Sequence, residues 1–328
     1  MTVFASLIIW RWLHFIALFL LCGGAFFWLS MGSRVPERSG ARARRATVLL
    51  LRIAAPVAAL SGAGWLAGIL ANMTGGYDRL ASGEVLRLFF FETQFGWITT
   101  LQLALCAAIL LIGAWPHAGR RWLAMLLAVT GLSLASQAWL GHAAEAGATV
   151  LGAAVAVVYA IHVLAGAAWV GSLAPLLQVL LQVLLQVLLT GRRSGAERPG
   201  PDSPGDDGEA VFALMSRYSV MAAIAVALIV ASGIVTAGVR VAGDFEKLLG
   251  ATYGSVLAVK VGLFTAMLLL AAFNRFIAMP ELHADPLTAP QRARLRVLGL
   301  CVSITGELTL GILVLGAAAV LGITAPPP

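Results

Sequence analysis

Eight stretches of this chain are apolar for long enough to cross a lipid bilayer, and nothing else in the sequence limits its fold as strongly. They run over residues 7–30, 47–72, 89–115, 122–140, 150–173, 212–239, 252–274 and 297–321. Each meets the roughly 20-residue length a helix needs to span a hydrocarbon core about 30 Å thick. Hydrocarbon offers no partner to a backbone N–H or C=O, so each stretch must satisfy its own amides as a helix. The expected fold is all-α: a polytopic membrane protein, a bundle of eight transmembrane helices in a single membrane domain over residues 1–328. Only 11% of residues are charged, against about 25% in a soluble domain, so no soluble domain of any size is expected. The first stretch has no basic segment before it and arginines after it, and reads as a retained helix rather than a signal peptide. Cys22, Cys106 and Cys301 all lie in apolar runs, an odd number with no CxxC spacing, which predicts neither disulfides nor a zinc site.

The connections alternate in charge. Arg34, Arg38, Arg42, Arg44, Arg45, Arg52, Arg120, Arg121, Arg192, Arg193, Arg198, Arg217, Arg275, Arg292, Arg294 and Arg296 fall on one side, sixteen in all. The other side holds four, Arg79, Arg87, Arg240 and Lys247, while Arg11 and Lys260 lie inside spans. Cytoplasmic loops are the ones enriched in Lys and Arg. Both termini are therefore expected in the periplasm, in a multi-pass protein of a bacterial inner membrane. The net charge of +7 reports this asymmetry; the expected surrounding partner is membrane lipid, and no nucleic acid.

Helices one to five fall within 7–189 and helices six to eight within 212–321, with 190–211, rich in Gly, Pro, Ser and Asp, read as a disordered cytoplasmic linker. Residues 176–189 repeat Leu-Leu-Gln-Val. Helix five with this repeat exceeds the bilayer, which predicts a bend at Pro175 and a continuation at or beyond the cytoplasmic surface. The repeat reads as a simple sequence expansion.

The segment 141–171 carries the first candidate site. Gly141-His142-Ala143 sits at the edge of a span and His162 deep within it. His162, Gly166 and Trp169 recur at i, i+4 and i+7 and share a helix face. An ionisable group at mid-membrane costs roughly 2.5–3.5 kcal/mol for a charged side chain by insertion scales, so it usually has a task. The plain alternative is a histidine hydrogen-bonded to a neighbouring carbonyl. Counting inward along each span, Arg11, His14, Lys260, Gln102, His162 and Glu307 fall in the outer half or near the middle, with His142 and Glu92 at the outer edge. The inner half holds sulfur instead: Cys22, Cys106, Cys301, Met125, Met215, Met221 and Met267. Imidazoles suit copper, and thiolate or thioether prefers Cu(I), though sulfur is also ordinary packing material in apolar helices. Lys260 and Glu307 count to similar depths on antiparallel helices, and an ion pair between them is the economical reading, ahead of a proton relay.

Beyond these patterns the sequence resembles the CopD copper-resistance family. Arg217-Tyr218-Ser219, Ser232-Gly233, Gly250-Ala251-Thr252-Tyr253-Gly254, Lys260, Asn274-Arg275 and Pro280 match its membrane domain. Arg11-Trp12-Leu13-His14-Phe15, Gly141-His142-Ala143 and His162 through Gly171 match earlier elements. The resemblance implies an inner-membrane protein, not an enzyme, moving copper ion from periplasm to cytoplasm. It also implies a small periplasmic copper carrier of the CopC kind as partner. The outer loops and tails here are too short for a fused carrier, so a separate one is expected. Residues and resemblance together nominate His142 at the mouth and His14 and His162 deeper as metal ligands, with Cys22, Glu307, Lys260 and Trp169 as secondary candidates. Two alternatives stay open: a haem-binding membrane cytochrome with His14 and His162 as axial ligands, and a copper sensor or assembly factor without transport.

Overall fold

The computed structural model describes residues 3–140, 150–190, 204–241, 252–284 and 290–324, and among these described residues there are ten α-helices. They are α1 (Val3–Met31), α2 (Glu37–Thr74), α3 (Gly83–Glu92), α4 (Gln94–Ala114), α5 (Arg120–Ser136), α6 (Val150–Thr190), α7 (Pro204–Val241), α8 (Thr252–Phe273), α9 (Met279–Ala284) and α10 (Pro290–Leu321). Short 3-10 turns occupy 32–34, 77–81 and 137–140, and a single π turn covers Asn274–Ala278. No strand occurs among the described residues. All helices except the short α3 and α9 are long and apolar enough to cross a membrane, eight in total among the described residues, in agreement with the eight apolar stretches.

α1 is central, packed on α2, α5, α6 and α10. Its contact with α6 depends on glycine. A β-carbon on Gly171 would overlap the Phe19 carbonyl, and one on Gly23 would overlap the Ala167 carbonyl. Backbones this close are the mark of membrane helices held by small residues, and Ser172 Oγ adds a 3.0 Å bond to the Gly23 carbonyl. On the other flank Trp12 Nε1 donates to the Ile312 carbonyl of α10 at 2.9 Å. The N-terminal half closes through α2 on α4 and α4 on α5; the C-terminal half closes through α6 on α7 and α10, and α10 on α8.

Three local features depart from the sequence reading. The apolar run 89–115 is not one helix: Thr93 is extended (φ −116°, ψ 149°), and its Oγ1 accepts from Gly96 N at 3.1 Å. A side-chain oxygen in that position is a helix N-cap, so the crossing helix starts at Gln94 and α3 is a separate element. α6 continues through Pro175 to Thr190, and one face of its Leu-Leu-Gln-Val repeat belongs to the core, while Leu181, Leu185 and Leu189 are exposed. Leu176, Val179, Leu180 and Val183 are buried in the core, because α2 and α7 also extend past their apolar runs and pack on it. Thr47 of α2 donates to Gln178 Oε1 at 2.5 Å. Finally, α7 begins at Pro204, inside the stretch read as linker. Proline suits a first helical position, where its missing N–H would have no partner anyway. Residues 191–203 lie outside the described residues.

The arginine-rich side is tied together by carbonyls. Arg44 Nη2 donates to Ala118 O at 2.8 Å, and Arg52 Nη2 to Trp115 O at 3.2 Å and Pro116 O at 2.9 Å. These carbonyls follow the C-terminus of α4, where the helix dipole favours positive charge.

Candidate functional site

His14 points from α1 into the N-terminal half and is 1% exposed. Its Nδ1 lies 2.9 Å from the Ala58 carbonyl of α2. A carbonyl oxygen only accepts, so Nδ1 carries the proton and Nε2 keeps its lone pair. One turn along α2, Gly62 makes room for two side chains at once. A β-carbon there would stand 2.8 Å from His14 Cε1 and 2.7 Å from Cys106 Sγ of α4. Trp65 completes the same α2 face at i+7 from Ala58, its ring 5.8 Å from the imidazole. One turn outward on α1, the Arg11 guanidinium lies 5.2 Å from the Phe15 ring and 5.3 Å from the Trp65 ring. It also reaches Gly322 at the end of α10, a helix C-terminus that its charge complements.

Cys106 stands beside His14, since a β-carbon on Gly62 would meet both side chains. Counted from Phe89 it falls deep, but the break at Thr93 starts the crossing five residues later, about 7 Å of helix rise. Gln102, one turn away, is a structural tie: its Nε2 donates to Ser133 O at 3.2 Å and Ser136 Oγ at 2.9 Å, and its Oε1 accepts from Ser133 Oγ. Cys22 turns to Thr130 of α5 and takes no part in the His14 cluster.

His162 looks the other way. Its Nδ1 lies 3.0 Å from Ser232 Oγ and 3.2 Å from the Ile229 carbonyl, both on α7. Lys260 of α8 is near enough for its charge to act on the ring. His14 and His162 therefore face different interfaces, and the described chain does not assemble them as two axial ligands of one haem. His142 lies outside the described residues. Among the described residues no group of three or more His, Cys, Asp or Glu is gathered to hold a metal.

The expected Lys260–Glu307 ion pair is absent among the described residues. Glu307, buried in α10, accepts instead from Asn274 Nδ2 at 2.5 Å. Asn274 follows the last residue of α8, fourteen positions beyond Lys260, about 21 Å of helix. The depths differ because the offset of α10 along α8 is set by the packing of the two helices. Trp169 is buried with its ring 6.1 Å from Phe264 of α8, and its carbonyl accepts from Tyr218 at 2.9 Å. Its Nε1 has no partner among the described residues. Neither Gly62 nor Ala58 stood out in the sequence; the one available signal was the Ser61-Gly62-Ala63-Gly64 run of small residues in an apolar span.

Comparison with known proteins finds matches to copper-handling families over both halves of the chain. Residues 1–153 match the family described as copper resistance protein D-like, N-terminal domain, and residues 212–321 match copper resistance protein D. Over these two regions the chain is similar to copper resistance protein D. The copper transport protein CutJ of Bacillus subtilis (strain 168) is 28% identical over 265 residues, 79% of this chain and 42% of CutJ. The chain thus spans about two fifths of that relative's length. No solved structure matches. The two matched regions divide the molecule. His14, Gly62 and Cys106 lie in the first matched region, Lys260, Asn274 and Glu307 in the second. α6, with His162 and Trp169, joins the two.

Proposed function

We propose that the chain takes copper from the periplasm and passes it across the inner membrane toward the cytoplasm, with His14 and Cys106 forming the first binding position inside the bundle. The observation that carries this reading is their juxtaposition over Gly62, with Nδ1 of the imidazole engaged by the Ala58 carbonyl. Histidines that bind metals almost always donate their second ring N–H to such an acceptor, which orients the ring and leaves the other nitrogen for the metal. A thiol beside it, once deprotonated by the metal, favours Cu(I). The copper ion is the cargo and not a resident cofactor.

His142 would receive the ion at the mouth, and a separate periplasmic carrier of the CopC kind would deliver it. His162 is the weaker candidate, since it faces Ser232 and Ile229 of α7 and not the His14–Cys106 position. The arginine-rich loops, read as cytoplasmic, would mark the inner end of the path. The haem alternative has no support in this geometry.

The test is copper(I) titration of the purified chain with copper accumulation measured in cells. His14→Ala and Cys106→Ser are each expected to weaken binding by about tenfold or more, the scale on which even outer-shell partners of a metal act, and to lower accumulation. Undiminished binding and accumulation in the double variant would sink the proposal. Wild-type binding without any accumulation would instead favour an assembly factor that hands copper to a partner.

A further inference from the structure

α7 lies on α6 and α9 and α8 lies on α10, leaving a gap between α7 and α8. In that gap opens a cleft of about 310 Å³ with Glu307, Asn274 and Trp169 among its walls. It lies toward the arginine-rich side, since Asn274 stands at the end of α8 that leads to Arg275. Most of the wall is apolar. Glu307 is 2% exposed and accepts a hydrogen bond from Asn274 Nδ2. Asn274 is 5% exposed, and its Oδ1 has no partner among the described residues. The thioethers of Met215 and Met279, both buried, line the same cleft.

Other polar groups at the cleft are already engaged. Arg275 at the rim donates to Ser219 O at 3.1 Å and Ser219 Oγ at 2.9 Å. The Tyr218 hydroxyl donates to the Trp169 carbonyl. What remains is one carboxylate, one amide oxygen, two thioether sulfurs and the Trp169 indole N–H, a donor that takes no part in holding a cation. Asn274 also opens the π turn 274–278, a rare helical irregularity that concentrates at functional sites.

We infer that this cleft is a second copper site, holding Cu(I) through Glu307, Asn274 Oδ1, Met215 and Met279. A buried carboxylate is costly without a matching cation, and one carboxylate matches one positive charge. The sulfurs choose the ion: thioethers select Cu(I), whereas Mg²⁺ and Ca²⁺ demand six or more oxygens that this cleft does not offer. The site lies below an aromatic barrier. Trp169 is seven residues from His162 on α6, about 10 Å further along the helix, and is braced by Phe264. A weak soft site past such a barrier suits release toward the arginine-rich side. The inference rests on copper being the cargo.

The test uses the full chain, purified in detergent and titrated anaerobically with Cu(I) against a chromophoric chelator. The His14→Ala/Cys106→Ser variant is expected to retain the cleft's copper. Its copper X-ray absorption should show sulfur neighbours that disappear when Met215→Leu and Met279→Leu are added. Glu307→Gln, and separately Met215→Leu/Met279→Leu, should each lose one equivalent or bind it at least tenfold more weakly, with the His14 equivalent intact. If both variants keep wild-type stoichiometry and affinity, the cleft is no copper site while copper handling through His14 stands. If the wild-type chain binds no copper, the proposed function fails and this inference with it.

Discussion

The carbonyl of Ala58 engages Nδ1 of His14 at 2.9 Å, and four residues further along α2 the absent side chain of Gly62 leaves the space in which His14 and Cys106 meet. Gly62→Ala is therefore expected to push both groups apart. Overpacking of this kind costs about 1–3 kcal/mol. Copper affinity should fall along with thermal stability, in chelator competition and in a melting experiment. A variant as stable and as tight as wild type would show that the cluster tolerates displacement.

Gly23 and Gly171 predict a sharper defect. The atoms an added β-carbon would meet there are backbone carbonyls of the facing helix, which cannot rotate away. Gly171→Ala and Gly23→Ala should each abolish a monodisperse peak in size-exclusion chromatography of solubilised protein. Gly166→Ala should be far milder, because its nearest neighbour is the Phe19 ring at 3.2 Å.

Thr93 sets where α4 begins. Thr93→Ala removes the oxygen that accepts from Gly96 N and should cost about 1 kcal/mol, read as a lowered melting temperature. Thr93→Ser should keep most of the stability. Equal losses in both would indicate that the methyl packing, not the cap, matters.

The direction of insertion has a direct check. Gly83 and Gly119 are exposed with no atom near a substituted side chain, and they lie on opposite sides of the bundle. A membrane-impermeant maleimide added to intact spheroplasts should label Gly83→Cys and spare Gly119→Cys. The reverse pattern would invert the proposed path.

Much of this architecture was legible before folding was considered. Eight apolar runs became eight candidate crossings because the bilayer imposes length and backbone pairing on each segment separately. His14 was legible for the same reason, as an ionisable group in an otherwise apolar span. The glycines around Trp169 announced close helix contact, and Gly171 makes it against α1.

What the sequence by itself determined was thus the property of single helices: length, composition, charge at the ends, and the presence of His14 within a span. Relations between helices came only with tertiary structure. Cys106 met His14 because α2 packs on both α1 and α4 and offers Gly62 between them. Glu307 met Asn274 rather than Lys260 because helix offset along the bundle is set by packing, and apolar edges do not report it. His14 and His162 parted because rotation about each helix axis is chosen by neighbours: α2 and α4 claim the one, α7 the other. A linear pattern specifies which residues share a face, but the partner of that face is decided only when the helices pack.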